Sequence, residues 1–191
     1  MLRFVILIIL VAQSVQTDDV LKKLQDRFNS IDNFTADFKF TSPAANINGK
    51  FVYKRRNKFV IESEARKIVS DSKSVWNYDI NGKRVMISDI GDEPSSFSIE
   101  RYLFDLPQKC NVRNYKDKKG KIYLELQPKS EEDFKKIIIE TSDDLFRKIE
   151  ITDFNGEKHI IELNNIKTDV KLKEEIFTFV PPKGIRIIDL R

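Results

Sequence analysis

The chain has 191 residues, which at ~150 residues per domain predicts a single domain with a short remainder. Hydrophobic residues reach 40% with 14 Phe, which excludes a disordered chain, and 34 Lys+Arg against 30 Asp+Glu leave a net charge of only +4, which argues against a nucleic-acid-binding protein. One cysteine, Cys110, and one histidine, His159, exclude an intramolecular disulfide and argue against a metal centre, so we expect no metal and no cofactor.

The N-terminus has the features of a secretory signal peptide. Arg3 gives the first residues a positive charge, and residues 4–11 form an uncharged apolar run. Ala12 and Ser14 are the small residues expected before a cleavage site. The run is far shorter than the ~20 apolar residues of a transmembrane helix, so cleavage is favoured over an uncleaved anchor. The sequence predicts a signal peptide at 1–14, a single domain at 15–191, and export to a bacterial periplasm.

An amphipathic helix is the first predicted element of the mature chain, with apolar residues at three- and four-residue steps at Val20, Leu21, Leu24, Phe28 and Ile31. The period then changes to two, and strand-like runs recur at 33–41, 47–54, 57–63, 66–71, 73–79, 83–88, 109–115, 121–127, 135–140, 145–153 and 157–166. The turns between them are short, so neighbouring strands are antiparallel. The pattern predicts a mainly β (α+β) domain with one antiparallel sheet of about eleven strands.

Two further helical segments are predicted within the strand pattern. Residues 95–106, bounded by Pro94 and Pro107, form a second amphipathic helix whose apolar side includes Leu103. The acidic residues at 130–134 predict a third, single helical turn before the next strand.

The sequence contains none of the short motifs that mark common enzymes, such as G-x-S-x-G or H-E-x-x-H. His159 lies in an alternating run and is interpreted as a strand-surface residue rather than a member of a catalytic triad. Cys110 is interpreted as a buried, inert thiol rather than a nucleophile. We therefore expect the protein not to be an enzyme.

Aromatic residues are concentrated in the first half of the predicted sheet. Their alternation predicts one apolar face, with candidate ligand-binding residues Phe34, Phe38, Phe40, Phe51, Phe59 and Trp76, joined by Leu103 from the second helix. This face is either an ordinary core beneath two helices or the wall of a cavity for an apolar ligand. Composition leaves both interpretations open.

Three segments resemble, in order, motifs of the bacterial outer-membrane lipoprotein carrier family, the LolA type: FVYKRRNKF at 51–59, VSDSKSVWNYD at 69–79 and FTFVPPKGI at 177–185. Two positions depart from the family pattern. Arg56 stands where the family usually has Pro, and Ser72 where it usually has Gly, so the geometry of both turns is open.

The resemblance implies a strongly curved, unclosed antiparallel half-barrel with helices forming a lid over an apolar cavity. It implies a periplasmic carrier that binds lipoprotein acyl chains. From the residues themselves we expect a monomer, because the hydrophobic segment is short and no anchor cysteine follows it, and no binding to nucleic acid, because the net charge is small. Its partners would be lipoproteins, an inner-membrane ATP-driven lipoprotein-releasing complex, and an outer-membrane acceptor or the outer membrane itself. A periplasmic lipid- or lipoprotein-binding sensor or receptor module on the same half-barrel is the alternative function.

Arg55 matches a strand arginine of the family, and the resemblance implies that it latches the lid through hydrogen bonds to lid carbonyls. A guanidinium suits this role because its five N–H donors can reach several acceptors at once. The alternative interpretation is a solvated arginine between Lys54 and Arg56.

Overall fold

The computed structural model describes residues 17–90, 98–143 and 145–191. The predicted signal peptide at 1–14 and the first residues of the predicted second helix lie outside these ranges. Among the helices within the described ranges, none combines the length and the apolar character needed to cross a membrane.

Twelve strands within the described residues form one sheet: β1 Asn33–Ser42, β2 Ala45–Lys54, β3 Lys58–Ser63, β4 Arg66–Asp71, β5 Ser74–Asp79, β6 Arg84–Asp89, β7 Cys110–Lys116, β8 Ile122–Pro128, β9 Phe134–Ser142, β10 Leu145–Asp153, β11 Lys158–Thr168 and β12 Arg186–Asp189. Their spatial order is β12-β6-β5-β4-β3-β2-β1-β11-β10-β9-β8-β7. Two meanders, β1–β6 and β7–β11, are therefore joined edge to edge by pairing of β1 with β11.

The predicted fold is confirmed: the sheet is antiparallel apart from its last strand, and it is unclosed because β12 and β7 form separate edges. All eleven predicted strands are present. The sequence analysis missed β12, which is only four residues long and runs parallel to β6.

Two helical segments lie against the concave face of the sheet. Helix α1, Thr17–Ser30, buries Leu24 and Phe28 as its apolar spacing predicts. The second segment, residues 98–109, is called the lid here. It contains a π-helical stretch, Arg101–Asp105, followed by the short α2, Leu106–Lys109.

The helical turns deviate from the sequence prediction at two places. The lid continues through Pro107, because the preceding stretch is wound as a π-helix in which the Leu106 N–H donates to the Arg101 carbonyl, and proline is accepted in the first turn that follows. The helical turn predicted at 130–134 is wrong. Phe134 instead begins β9, where it is buried and pairs with Asp153.

The two departures from the family pattern are accommodated by left-handed backbone. Arg56 and Asn57 have φ of 67° and 55°, and Ser72 has φ of 85°. The β2–β3 and β4–β5 hairpins therefore keep tight turns without the proline or glycine.

Candidate functional site

The concave face of β1–β3 carries a cluster of buried aromatic rings. Phe34, Phe38 and Phe59 surround Phe51, with ring centroids 5.6, 6.4 and 6.3 Å from the Phe51 ring. All four are at most 4% exposed. These four candidate residues are thus brought together on one face, as their alternation predicts.

The second meander completes this apolar face with aliphatic residues that the sequence analysis did not select. Ile149 and Ile161 face each other across β10 and β11, and Leu163 faces Phe38 across β11 and β1. The apolar residues at 149/151 and at 161/163 alternate in the same way as the aromatic residues of β1–β3. They are aliphatic, however, and on the strands the sequence analysis selected only aromatic residues.

The helices cover the apolar face directly. From α1, Phe28 packs on Tyr53 of the sheet and on Phe104 of the lid, with centroid distances of 5.1 and 6.1 Å. Leu103, the candidate residue on the lid, is fully buried in the same core.

A small cavity remains where the lid, β1–β3 and β10–β11 meet. Its volume is about 10 Å³, and it is lined by Phe38, Phe51, Ile61, Ile99, Tyr102, Phe146, Ile149, Ile161 and Leu163. Such a space holds about one water molecule, whereas ligand sites commonly measure about 300–1,000 Å³. The structure is therefore a closed state in which the protein's own side chains fill the site.

Hydrogen bonds join the lid to the β2–β3 hairpin on one side and to helix α1 on the other. Glu100 Oε1 accepts hydrogen bonds from the Tyr53 hydroxyl and, at 3.1 Å, from the Asn57 backbone N–H. Ser98 Oγ donates to Asn57 Oδ1 at 3.2 Å. Gln25 Nε2 of α1 donates to the Leu103 carbonyl at 2.6 Å. Burial, reinforced by the hydrogen bond to Glu100, raises the pKa of Tyr53, so the phenol stays a donor.

The structure does not place Arg55 in the latch role that the resemblance implies. Its side chain is exposed, and within the described residues it makes no hydrogen bond to a lid carbonyl. Only its backbone N–H is engaged, with the Asp32 carbonyl at 2.9 Å. The hydrogen bonds between the lid and the β2–β3 hairpin are made instead by Glu100 and Ser98. Sequence reasoning missed Glu100 because a single acid in a helix carries no distinguishing pattern.

Trp76 lies on the opposite, convex face of the sheet, so its assignment to the cavity is wrong. Its neighbour Val75 points into the concave core, while Trp76 packs against a second cluster formed by Val60, Val69 and Phe177. This cluster is covered by the C-terminal strap, residues 172–179. Glu174 of the strap pairs with Lys54 and with Lys58, the latter at 3.1 Å.

Phe40 lies at the far end of the concave face, next to a half-open cleft. It is half-buried and stacks on His159 with a centroid distance of 6.3 Å. The cleft has a volume of about 160 Å³ and is lined by Arg101, Tyr102, Leu106, Asp133, Phe134, Ile137, Ile151, Asp153 and His159. Tyr102 lines both this cleft and the closed cavity, so it separates the two spaces.

Asp153, Glu157 and His159 offer donor atoms within 4.8 Å of one another, the arrangement closest to a metal site that the described residues contain. Asp153 is already occupied as a turn acceptor: its Oδ1 receives the N–H groups of Asn155 and Glu157, both at 2.9 Å. The β10–β11 turn therefore explains why these three side chains lie close together. Cys110 is buried, and burial raises the pKa of its thiol, in keeping with the inert interpretation.

An unclosed antiparallel sheet whose apolar concave face is covered by helices defines the class of half-barrel ligand carriers. The family model described as "Outer membrane lipoprotein carrier protein LolA" matches residues 29–180. The chain belongs to this family, a family of carriers rather than enzymes, and the resemblance noted in the sequence is confirmed.

Individual relatives agree with this assignment. The outer-membrane lipoprotein carrier protein of Legionella pneumophila (strain Corby) is 26% identical over 199 residues, covering 97% of each chain. That of Bordetella avium (strain 197N) is 27% identical over 157 residues, covering 78% of this chain and 74% of the relative. A crystal structure of an uncharacterized conserved protein from Thermus thermophilus shares the fold, with a TM-score of 0.58 and 14% identity over 90% of this chain and 98% of that one.

Proposed function

We propose that this protein is a periplasmic carrier that shelters the acyl chains of lipoproteins and shuttles them from the inner to the outer membrane. The observation that carries the proposal is the continuous apolar face of the half-barrel, which is covered by two helical segments rather than by a second sheet. Family membership and the names of the relatives support the same role.

The energetic need for such a carrier follows from the hydrophobic effect. Each CH₂ group exposed to water costs ~0.8 kcal/mol, so the acyl chains of one lipoprotein cost on the order of tens of kcal/mol in free solution. A soluble protein can offset that cost only by presenting an apolar surface of similar extent. We propose that the concave face, with Phe34, Phe38, Phe51 and Phe59 from one meander, is this surface.

Loading requires the lid to move, because a cavity of about 10 Å³ cannot admit an acyl chain. We propose that the cleft beside Tyr102 is where an incoming chain first makes contact. Displacing Tyr102 and the lid would join this cleft to the closed cavity and free the phenylalanine face for the ligand. The hydrogen bonds of Glu100 oppose this movement, so they favour release once the chain has been handed on.

The proposed partners follow from the direction of transfer. An inner-membrane ATP-driven releasing complex would supply the work of extracting the lipoprotein, and an outer-membrane acceptor, or the outer membrane itself, would bind the chains more tightly. The carrier would act as a monomer.

Mass spectrometry of the exported protein, isolated from a periplasmic extract, tests the proposal. We expect a lipoprotein to co-purify with the wild type and to be lost from Phe38→Asp, which places a charge on the apolar face. Phe154→Asp is the matched control, because Phe154 is 49% exposed on the β10–β11 turn. Circular dichroism establishes that each variant is folded. A folded wild type without any lipid-modified protein, or a Phe38→Asp variant that retains it, would contradict the proposal.

A further inference from the structure

The hairpin between β7 and β8 carries a dense group of exposed positive charges. Residues 116–121 contain four lysines and one aspartate. Lys121 pairs with Glu140 at 2.5 Å. Within the described ranges, the side chains of Lys116, Lys118 and Lys119 have no hydrogen-bond or ion-pair partner, and all three are exposed.

The aspartate of this hairpin is committed to the turn itself. Asp117 Oδ1 accepts the backbone N–H groups of Lys119 and Lys121 at 2.8 and 3.0 Å, and its Oδ2 accepts the Tyr123 hydroxyl at 3.3 Å. Gly120, with φ of 80°, completes the turn. The carboxylate is therefore held inside the hairpin, and the three lysine side chains project from it.

Two tyrosine rings lie directly beside the lysines. Tyr115 and Tyr123 are cross-strand partners whose rings stack at 5.2 Å with an angle of 15°. They lie on the convex face, since their strand neighbour Leu124 is buried in the core, and Tyr115 is 39% exposed. Tyrosine combines an apolar ring with a polar tip and is enriched where proteins meet the headgroup level of a membrane.

We propose that the β7–β8 hairpin is a docking surface for an anionic lipid bilayer. Lysine ammonium groups are flexible point charges that suit mobile phosphate headgroups, whereas a fixed protein or nucleic-acid partner favours the bidentate fork of arginine. The adjacent tyrosine pair adds interfacial contact that a purely electrostatic partner would not use. The expected binding is weak and reversible, and it is independent of any cargo in the cavity.

The position of the hairpin relates it to the lid. The antiparallel register places the β7–β8 turn and the β2–β3 turn at the same end of the strands. The β2–β3 turn contains Asn57, which bonds Glu100 and Ser98 of the lid. A carrier docked through these lysines would thus turn toward the lipid surface the end of the lid that Ser98 and Glu100 bond to the β2–β3 turn.

Co-sedimentation of the full chain with lipid vesicles tests this proposal. We expect binding to vesicles that contain phosphatidylglycerol, none to pure phosphatidylcholine vesicles, and loss of binding in high salt. The triple substitution Lys116→Gln, Lys118→Gln, Lys119→Gln should weaken binding about a hundredfold. The triple substitution Lys22→Gln, Lys67→Gln, Lys135→Gln removes the same charge elsewhere and should preserve most of it.

Three results would overturn the assignment: no binding to phosphatidylglycerol vesicles, equal binding to both kinds of vesicle, or equal losses in the two triple variants. The last would show that net charge, and not this hairpin, governs binding. Because the assay contains no lipoprotein, its outcome is separate from that of the carrier proposal.

Discussion

At the scale of single residues, the polar contact between the lid and the β2–β3 hairpin is made by a carboxylate on the lid rather than by the Arg55 guanidinium on the sheet. The Glu100 carboxylate accepts one hydrogen bond from the Tyr53 hydroxyl and one from the Asn57 backbone N–H, and both residues belong to the β2–β3 hairpin. Hydrogen bonds to an ionised acceptor contribute ~1.5–3 kcal/mol. This contact adds to the burial of Tyr102 and Leu103 in the core, so its loss should weaken the closed lid without unfolding the sheet beneath it.

Glu100→Gln should favour the open lid. The amide oxygen still accepts hydrogen bonds, but it loses the charge, so the closed state is weakened by about 1 kcal/mol. If binding requires the open state, the apparent affinity for a fluorescent fatty-acid analogue should rise about three- to tenfold. Titration of the analogue, followed by its emission, measures this.

Two controls sharpen the experiment. Glu131→Gln removes an equivalent charge from an exposed position and should leave the affinity unchanged. Arg55→Leu should also have no effect, because the exposed guanidinium makes no described contact with a lid carbonyl. If Arg55→Leu tightened binding and Glu100→Gln did not, the latch would have to be reassigned to the arginine.

Ser72 adopts a conformation that favours glycine, with φ of 85°. Left-handed backbone costs a non-glycine residue about 1–2 kcal/mol, and part of this is offset because glycine loses more entropy on folding. Ser72→Gly should therefore raise the free energy of unfolding by about 0.5–1 kcal/mol. Urea denaturation of the two proteins measures the difference.

Ser130 provides the comparison for this substitution. It is exposed and is not among the described residues with positive φ, so Ser130→Gly should be neutral or destabilising by about 0.5 kcal/mol. Equal stabilisation by both substitutions would mean that relief of strain at residue 72 is not the cause.

At the scale of elements, alternation could predict the strands but not which face of each strand meets the cavity. Phe38 and Phe51 were placed correctly, because the other faces of their strands are largely polar. On β3–β5 both faces are covered, one by the core and one by the strap, so Val60 and Val69 face away from Phe59 and Val75. Apolar residues on both faces remove the period-two signal that would have separated Trp76 from the site.

The lid illustrates a different limit of sequence reasoning. Its apolar side, including Leu103, follows from helical spacing, and this residue is buried as expected. The contacts of Glu100 and Gln25 join residues that are 43 to 78 positions apart along the chain. Such polar partners are defined by the tertiary arrangement of two helices on a curved sheet, which no local pattern encodes.

The C-terminal strap should be held less tightly at acidic pH, although Phe177 keeps it anchored in its cluster. Hydrogen bonds from Lys54 and then Lys58 lower the pKa of Glu174 below its ordinary value of 4.5. A depressed pKa in the folded protein means that the carboxylate stabilises the strap fully above pH 4.5 and loses this effect as the pH falls through the folded pKa. Trp76 is the single tryptophan of the chain, so its fluorescence reports on the strap cluster during a titration.

Glu174→Gln should abolish this acidic transition of the Trp76 signal, because the amide does not titrate. Glu175→Gln is the control, since Glu175 is an exposed neighbour in the same turn and should leave the transition in place. An identical transition in wild type and Glu174→Gln would assign it to another acid.

At the scale of the whole molecule, one apolar face serves as core and as candidate binding surface. The two meanders meet at β1 and β11, so aromatic residues of one half and aliphatic residues of the other form a single cluster. Only about 10 Å³ is left at its centre, so a ligand bound there would compete with the lid for the same side chains. In the carrier proposed above, packing of the closed lid would therefore oppose ligand binding, which is what reversible transport requires.

Locking the lid should abolish binding altogether. Ser98 and Asn57 contact each other through their side chains at 3.2 Å, so Ser98→Cys with Asn57→Cys, in a Cys110→Ala background, places two thiols across the lid and the β2–β3 turn. Under oxidising conditions the disulfide should hold the closed state and prevent uptake of the fatty-acid analogue, and a reductant should restore it. The single Ser98→Cys variant in the same background should bind under both conditions, which separates closure from the loss of a hydrogen bond. If the oxidised double variant, with its disulfide verified by thiol counting, still bound the analogue as well as the reduced form, the ligand would have to enter without movement of this end of the lid.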